Sequence, residues 1–309
     1  MLTLNSRTVN VSQMKKSYLY MLFAALCWAG AFIAGKIGVA DVSGLEMSFY
    51  RFAIAALALL TYCFVKGLSF DIGWKNILII SAIGSFGMLG YHLLFFRSIA
   101  LISVLESSSI NTLAPVLSAI AGYLLFREPL NFKAVLYLLA AAFGVITIII
   151  RWNITSLLQI GQSAGTLYML AAMLIWVIYS ILIRRFVKGI PAAVSSFFSI
   201  ASAAVILFPF ILLKGISPAE YTVNIWFVYL FMGIFSTFLG YTLQQDSIMK
   251  IGIARTNFFI NFVPVFSMIL GVLILGDEFR LMNIISLLIV FSALLGYMRE
   301  KEKLRSASV

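Results

Sequence analysis

The stretch LYMLFAALCW at residues 19 to 28 returns 148 positions later as LYMLAAMLIW at residues 167 to 176. Seven of the ten positions are identical. Further matches follow at offsets of 148 to 150, among them glycine-tyrosine at 90 and 240, and PVLSAIAG at 115 to 122 against PVFSMILG at 264 to 271. An offset that drifts by only two residues along the unit indicates that the whole unit is duplicated.

The composition places both copies in lipid. Of the 309 residues, 62% are hydrophobic and 11% are charged, which is more apolar surface than a soluble domain of this size can bury. Charged residues divide the chain into ten long uncharged runs, and a helix of about 20 residues crosses a bilayer core of about 30 Å. The sequence therefore predicts an all-α integral membrane fold with ten transmembrane helices.

The basic residues predict the orientation. With ten helices and an inner N-terminus, 16 of the 22 lysines and arginines fall on inner segments and five on outer ones, with Arg51 left over. This bias is expected of cytoplasmic loops, so both termini are predicted to be cytoplasmic in a plasma or inner membrane. The net charge of +11 is thereby explained by orientation, and no nucleic-acid partner is expected.

Five helices in each copy is an odd number, so the second copy must enter the membrane from the opposite face. The prediction is a cytoplasmic tail at 1–16, a five-helix repeat at 17–150, an outer loop at 151–162, a second repeat at 163–298 and a cytoplasmic tail at 299–309. Inverted repeats are typical of secondary transporters, whose substrate site lies near the membrane midplane between the repeats. A structural bundle enlarged by duplication is the plainer alternative.

Several stretches resemble the drug/metabolite transporter superfamily in its ten-helix EamA branch. They are WAGAFIAGK at 28–36, EMSFYRF at 46–52, and PVLSAIAGYLLFREPL at 115–130 with its weaker copy PVFSMILGVLILGDEF at 264–279. The resemblance covers residues 17–298. It implies an inner-membrane carrier, in most members an exporter of amino acids, other metabolites or toxic compounds. It also implies a central cavity framed by the helices outside the fourth-and-fifth and ninth-and-tenth pairs.

The second copy departs from that family pattern. Ser199 stands where the first copy has Arg51, and the FREPL turn at 126–130 becomes GDEFR at 276–280. The two halves therefore need not contribute equally to the site.

Arg51 is the most informative charge. The uncharged run after it has 14 residues, about 21 Å of helix, which is too short to span the bilayer. The second helix is therefore expected to begin near Gly44 and to carry Arg51 into the membrane. An arginine there is paired, snorkels to the outer water or takes part in transport. Glu46 is poorly placed on the helix to be its partner.

Pro115 and Pro264 are equivalent positions in the fourth and ninth helices and are expected to kink them. Asn111, Asn257 and Asn261 lie close to these prolines in the sequence. Their amides either line a polar path or form interhelical hydrogen bonds, and the second role is the more common one.

Aromatic side chains complete the predicted pathway. Trp28 and Trp176 are repeat-related and count to the middle of their helices, away from the interface where tryptophan is usual. They either stack on a flat solute, with Tyr50 and Tyr179 as hydroxyl donors, or pack between helices. His92, the only histidine, is a possible proton relay, although a histidine that donates to a backbone carbonyl is more common.

The predicted function is an alternating-access transporter of a small metabolite, such as an amino acid, an amine or a drug-like solute, acting as an exporter. No Walker loop, metal-ligand cluster or Ser-His-Asp set is visible in the sequence, so no cofactor, metal or enzymatic activity is predicted. The expected partners are the solute and the lipid bilayer, and a homodimer is left open. A membrane-embedded enzyme and a non-transporting scaffold are the alternatives.

Labelling from one side of the membrane tests the inversion. In a variant without Cys27 and Cys63, a cysteine at Gln162→Cys should react with a membrane-impermeant thiol reagent applied to intact cells, because 151–162 is predicted to be an outer loop. A cysteine at Ser306→Cys, in the predicted cytoplasmic tail, should react only after the cells are opened. Labelling of position 162 from the cytosol alone would mean that the two copies run in the same direction.

Overall fold

A computed structural model describes residues 11–126, 131–153, 163–215, 221–251, 256, 259–278 and 280–307. All regular structure in these ranges is helical, so the predicted all-α fold is confirmed. The first copy contains α1 (Val11–Asp41), α2 (Gly44–Val65), α3 (Trp74–Leu101), α4 (Val104–Asn111), α5 (Ala114–Phe126) and α6 (Phe132–Ile149).

The second copy is less regular. It contains α7 (Ala164–Phe186), α8 (Ala192–Leu213), α9 (Val223–Leu230), a π-helical segment (Phe231–Leu239), α10 (Gly240–Ile251), a 3-10 turn (Phe259–Phe262), α11 (Val263–Leu270), a short π-helical segment (Gly271–Leu275) and α12 (Leu281–Ala307). We number the membrane crossings 1 to 10 in chain order. Crossing 4 is α4 with α5, crossing 8 runs from α9 to α10, and crossing 9 runs from Phe259 to Leu275.

The lengths fit a bilayer. Among the described residues, nine helical stretches are long and apolar enough to cross a membrane, and Phe259–Leu275 is a shorter apolar helix at the place of crossing 9. Large apolar side chains point away from the bundle, with Leu57 65% exposed and Phe64 69% exposed. Serine side chains such as Ser48 and Ser107 are fully buried. Apolar surface outside and small polar residues between helices are typical of a protein in lipid.

The start of α2 agrees with the sequence prediction. Ser43 is the N-cap, and Gly44 is the first helical residue. The Ser43 side chain accepts from the backbone N–H of Glu46, while the Glu46 carboxylate accepts from the backbone N–H of Ser43, which forms a capping box. Arg51 consequently lies two turns inside the helix.

The two copies pack through equivalent crossings. Crossing 3 packs on crossings 6 and 7, and its counterpart, crossing 8, packs on crossings 1 and 2. Crossing 2 packs on its own counterpart, crossing 7, and crossing 5 packs on crossing 10. A contact pattern that is unchanged when the copies are exchanged is produced by a two-fold axis. Because each copy has five crossings, the copies run through the membrane in opposite directions.

Close approach at equivalent glycines holds the copies together. A Cβ atom on Gly84 of α3 would lie 2.3 Å from the Cα of Ser199, and a Cβ atom on Gly233 would lie 3.2 Å from the carbonyl oxygen of Arg51. Ser199 and Arg51 are themselves counterparts at the offset of 148. Glycine at these positions lets the backbones meet more closely than any side chain allows.

The eighth crossing contains one residue more than its counterpart between two matched glycines. Gly84 and Gly90 are six positions apart, whereas Gly233 and Gly240 are seven apart. The third crossing is a continuous α-helix, and the second copy accommodates the extra residue in the π-helical segment Phe231–Leu239. Such π-bulges occur frequently at functional sites.

Substitution of Gly84 tests the close approach. Gly84→Ala should lower the free energy of unfolding by about 1–3 kcal/mol, because the new methyl group forces α3 away from α8. The measurement is thermal or denaturant unfolding of the purified protein in detergent. Ala82→Leu is the control, since Ala82 is exposed on the same helix and the larger side chain meets no neighbouring helix. Equal stability of Gly84→Ala and wild type would contradict the packing.

Candidate functional site

A cavity of about 160 Å³ lies between the two copies. Crossings 1 to 4 of the first copy and crossings 6, 8 and 9 of the second contribute to its wall. The fourth and ninth crossings therefore line the cavity as well, which the family resemblance did not imply. Of the predicted pathway residues, those in the wall are Trp28, Arg51, His92, Asn111 and Trp176.

Two repeat-related aromatic pairs stand on the cavity wall. The ring of Trp28 lies 6.2 Å from that of Tyr241, and the ring of Trp176 lies 5.4 Å from that of Tyr91. Trp28 and Trp176 are counterparts in the two copies, and so are Tyr91 and Tyr241. The same tryptophan-tyrosine contact between copies therefore occurs in two symmetry-related positions. Trp176 also stacks on Tyr241, with 6.3 Å between ring centres and 23° between planes. The rings offer flat apolar faces with polar N–H and O–H groups at their tips.

Tyr91 and Tyr241 were missed as site residues by the sequence analysis. Their signal was present, because glycine-tyrosine recurs at an offset of 150. This match was interpreted only as a sign of the duplication, whereas the recurrence of Trp28 and Trp176 was also interpreted as a sign of the pathway. A tyrosine retained in both copies beside a retained tryptophan would have been a sound criterion.

Arg51 projects into the cavity wall and not towards the outer water. Its side chain is only 6% exposed. Nε donates to Oγ1 of Thr237 at 2.7 Å, and Nη2 donates to Oγ of Ser236 at 3.2 Å. These hydrogen bonds exclude the snorkelling alternative. Both acceptors belong to the π-helical segment of crossing 8.

The π-helical segment is adapted to hold Arg51. A π turn loosens the regular carbonyl pairing, and in lipid each released carbonyl needs another donor. Thr237 Oγ1 donates to the carbonyl of Met232 at 2.8 Å, five residues earlier, and Trp28 Nε1 donates to the carbonyl of Ser236 at 3.0 Å. Two backbone carbonyls of the segment thus accept from side chains, while the hydroxyl oxygens of Ser236 and Thr237 accept from the guanidinium.

No carboxylate pairs with Arg51 in the part of the chain that the structure describes. Glu46 has other partners near the start of α2, where it accepts from the hydroxyl of Tyr221 at 3.0 Å and lies 3.5 Å from Nζ of Lys214. The sequence prediction that Glu46 does not pair with Arg51 is confirmed. The cavity thus contains a buried cation whose described partners are neutral hydroxyls.

The corresponding place in the second copy has no arginine. Ser199 replaces Arg51, and Tyr179 stands where the first copy has Ala31. Tyr179 packs so closely on α3 that a Cβ atom on Gly87 would lie 2.4 Å from its ring. The two halves therefore share the aromatic pairs but differ at the charged position.

His92 and Asn111 line the cavity and also hold its wall together. Nδ1 of His92 is 2.9 Å from the carbonyl of Met88, so Nδ1 is the donor in this contact. Nδ2 of Asn111 donates to the hydroxyl of Tyr91 at 3.2 Å, which joins crossing 4 to crossing 3. These are the packing roles considered for both residues from the sequence.

Three of the predicted pathway residues lie away from the cavity wall. Tyr50 stacks on Tyr229 at 4.7 Å, within an outer aromatic cluster that also contains Tyr221 and Trp226. Asn261 is buried on the 3-10 turn but is not part of the wall. Tyr179, the third, lines a neighbouring cavity. Asn257 lies outside the described residues.

Both prolines follow an interruption of their helices. The fourth crossing is broken at Thr112 and Leu113, and Pro115 is the second residue of the helix that resumes there. The ninth crossing begins as a 3-10 turn, and Pro264 is the second residue of α11. The cavity wall includes Thr112 at the first break and Val263 beside the second.

A second cavity of about 280 Å³ adjoins the first. It shares Trp176 and Tyr241 with the central cavity and extends to Val187 and Ala192, where α7 ends and α8 begins. The two shared rings therefore form the partition between the cavities.

A family model for EamA-like transporters matches residues 15–150 and residues 163–299, one match for each copy. The chain belongs to the EamA-like transporter family. The chain is similar to the uncharacterized transporter YyaM of Bacillus subtilis (strain 168), with 27% identity over 90% of this chain and 92% of the relative's length. The uncharacterized transporter YoaV of the same organism is 26% identical over 90% of this chain and 94% of its own.

The fold of this EamA-like chain is shared with a solved crystal structure. The TM-score is 0.68 at 19% identity, with 94% of this chain and 99% of the other covered, which supports a common fold and nothing more specific. The family and the apolar helices together establish a multi-pass membrane transporter.

A hydroxyl-to-methyl exchange tests the hydrogen bonds of Arg51. Thr237→Val should lower the free energy of unfolding by about 1–3 kcal/mol, because the guanidinium loses an acceptor and keeps its buried charge. Thr242→Val, one turn further along the crossing, is the control, since Thr242 Oγ1 donates to the backbone carbonyls of Phe238 and Leu239. Equal losses in the two variants, measured by unfolding in detergent, would show that the bonds to Arg51 contribute little.

Proposed function

We propose that this protein exports a small metabolite by alternating access. The observation that supports it is the central cavity, whose wall carries the Trp28–Tyr241 and Trp176–Tyr91 pairs in equivalent positions on the two copies. A site between inverted repeats can be exposed to either side of the membrane when one repeat moves against the other. The matched tryptophan and tyrosine rings of the two copies would then contact the solute in the inward-facing and in the outward-facing conformation.

The outer side of this site is closed by two layers. Tyr50, Tyr221 and Tyr229 pack on one another with ring centres 4.7 to 5.4 Å apart. Above them, the carboxylate of Glu46 joins the hydroxyl of Tyr221 to the ammonium group of Lys214. Burial, with the neighbouring Tyr229 and Glu46, raises the pKa of Tyr221, so its hydroxyl stays protonated and remains a donor to Glu46.

The inner side is more open. The second cavity extends from the Trp176–Tyr241 partition to the α7–α8 connection, which is cytoplasmic in the orientation that the basic residues favour. A solute would enter this vestibule from the cytoplasm, pass the two rings and reach Arg51. This inward-facing conformation is the one in which an exporter would load its solute, and the direction of transport is proposed from the family resemblance.

The interrupted crossings supply places where the helices can bend. Crossings 4, 8 and 9 are each irregular beside the cavity, and helix breaks at prolines and π-bulges are common sites of kinking. We assign Pro115 and Pro264 the role of keeping two of these breaks in place. Movement at the breaks would open the outer layers while the aromatic partition closes.

The alternatives explain less of the geometry. An enzyme would need an acid, a base or a nucleophile positioned together, whereas the wall of the central cavity offers one histidine whose Nδ1 is held by a backbone carbonyl and, in the described part, no carboxylate. A scaffold would not require a cavity with matched aromatic pairs at the interface of the two copies.

Solute flux into vesicles tests the function. A screen for growth protection on overexpression, with amino acids, amines and toxic analogues, should supply a solute, and the purified protein in proteoliposomes should carry it. Trp28→Ala should lower the initial rate about fivefold or more, because a lost ring contact is worth about 1 kcal/mol. Trp74→Ala, at a position 67% exposed, should leave the rate unchanged. Absence of flux for every solute would reject the transporter mechanism.

A further inference from the structure

Among the described residues, the wall of the central cavity has one fixed charge, and it is positive. Arg51 is the charged residue of the wall, and the other polar groups there, such as Asn111, Gln244 and Tyr241, are neutral. No aspartate or glutamate of the described residues lines this cavity. His92 adds no negative charge, because imidazole is either neutral or cationic.

The described partners of Arg51 do not neutralise it. A guanidinium has five N–H donors in a rigid fork, and the two hydroxyls of Ser236 and Thr237 accept from two of its nitrogens. Neutral acceptors leave the charge uncompensated, and a buried arginine is normally paired with an anion. A ligand with an oxyanion group would supply both the missing acceptors and the missing charge, in the planar geometry that the fork matches.

The positive charge of Arg51 is not repeated at the equivalent position of the second copy. Its counterpart in the second copy is Ser199, and Tyr179 packs against α3 on that side. A solute that bound through two anionic groups would therefore find a cation for only one of them. The wall also contains the rings of Trp28, Trp176, Tyr91 and Tyr241, which suit a flat or apolar body.

We propose that the solute is a small organic anion whose single carboxylate or phosphate-like group pairs with Arg51, while its body lies between the two aromatic pairs. This inference rests on the proposed transport function, and it assigns Arg51 as the residue that selects the solute by charge. Lysine in its place would keep the charge and lose the bidentate fork.

A set of probes that share one phenyl ring tests the selection. Benzoate and phenyl phosphate carry oxyanions, benzamide is neutral and benzylammonium is cationic. Each is titrated against the purified full-length protein at constant ionic strength, and the shift of the thermal midpoint gives an apparent Kd. The wild type should bind at least one of the two anions about tenfold or more tightly than benzamide and benzylammonium, since a buried charge pair is worth more than 1.4 kcal/mol.

Substitutions of Arg51 test whether this residue causes the preference for anions. Arg51→Gln should weaken the favoured anion about tenfold or more and leave benzamide unchanged, while Arg51→Lys should keep part of the preference. Arg97→Gln is the matched control, because Arg97 is exposed at the outer end of α3. If Arg51→Gln does not fold, the probe series on the wild type and on Arg51→Lys still decides the question.

The inference is overturned if neither anion stabilises the wild type more than its neutral and cationic analogues do. Full anion affinity in a folded Arg51→Gln variant would overturn it equally. These results are separable from failure of the transport function. Flux of a neutral or cationic solute without anion preference would support the transport function and reject the anion site. Anion binding without any flux would support the anion site and reject the transport function.

Discussion

The hydrocarbon core offers no hydrogen-bond partner to a free peptide group, and this constraint decides where the helices of this protein can be irregular. The break in crossing 4 and the π-helical segment of crossing 8 both lie against the cavity. Side chains add donors to backbone carbonyls there: Thr112 Oγ1 donates to the carbonyl of Ser109, Thr237 Oγ1 to that of Met232 and Trp28 Nε1 to that of Ser236. The break in crossing 4 and the π-helical segment of crossing 8 therefore lie beside the cavity, where polar side chains are available to their backbone.

The symmetry and the departures from it at Arg51 and crossing 8 serve different purposes in this transporter. The glycine contacts at Gly84 and Gly233 and the matched tryptophan-tyrosine pairs make the two copies equivalent around the axis. The charge is not duplicated, and the second copy has an extra residue in the helix that faces it. Insertion of one residue turns the following side chains by about 100°. The insertion thus gives crossing 8 a local geometry that crossing 3 lacks, and places hydroxyls against the guanidinium.

Two residues of the cavity wall were predicted from the duplication. Trp28 and Trp176 were selected because they recur and lie at mid-depth, and both are in the cavity wall. Tyr50 was predicted as a hydroxyl donor on the pathway. Its ring packs instead on Tyr229 and Tyr221, because neighbouring residues on a helix point about 100° apart and Arg51 is the one that faces the cavity. Tyr179 is on the same face as Trp176 but one turn nearer the α7–α8 connection, and it lines the second cavity.

The sequence by itself determined the helical class, the number of crossings, the duplication and the start of α2 at Gly44, since composition, run length and capping are local properties. The partners of Arg51 were decided only by the tertiary structure. Thr237 is 186 positions away in the other copy, and its hydroxyl meets the guanidinium only because α2 packs against a π-helical turn. That meeting depends on how two helices from different copies are rotated against each other, which no pattern along a single helix records.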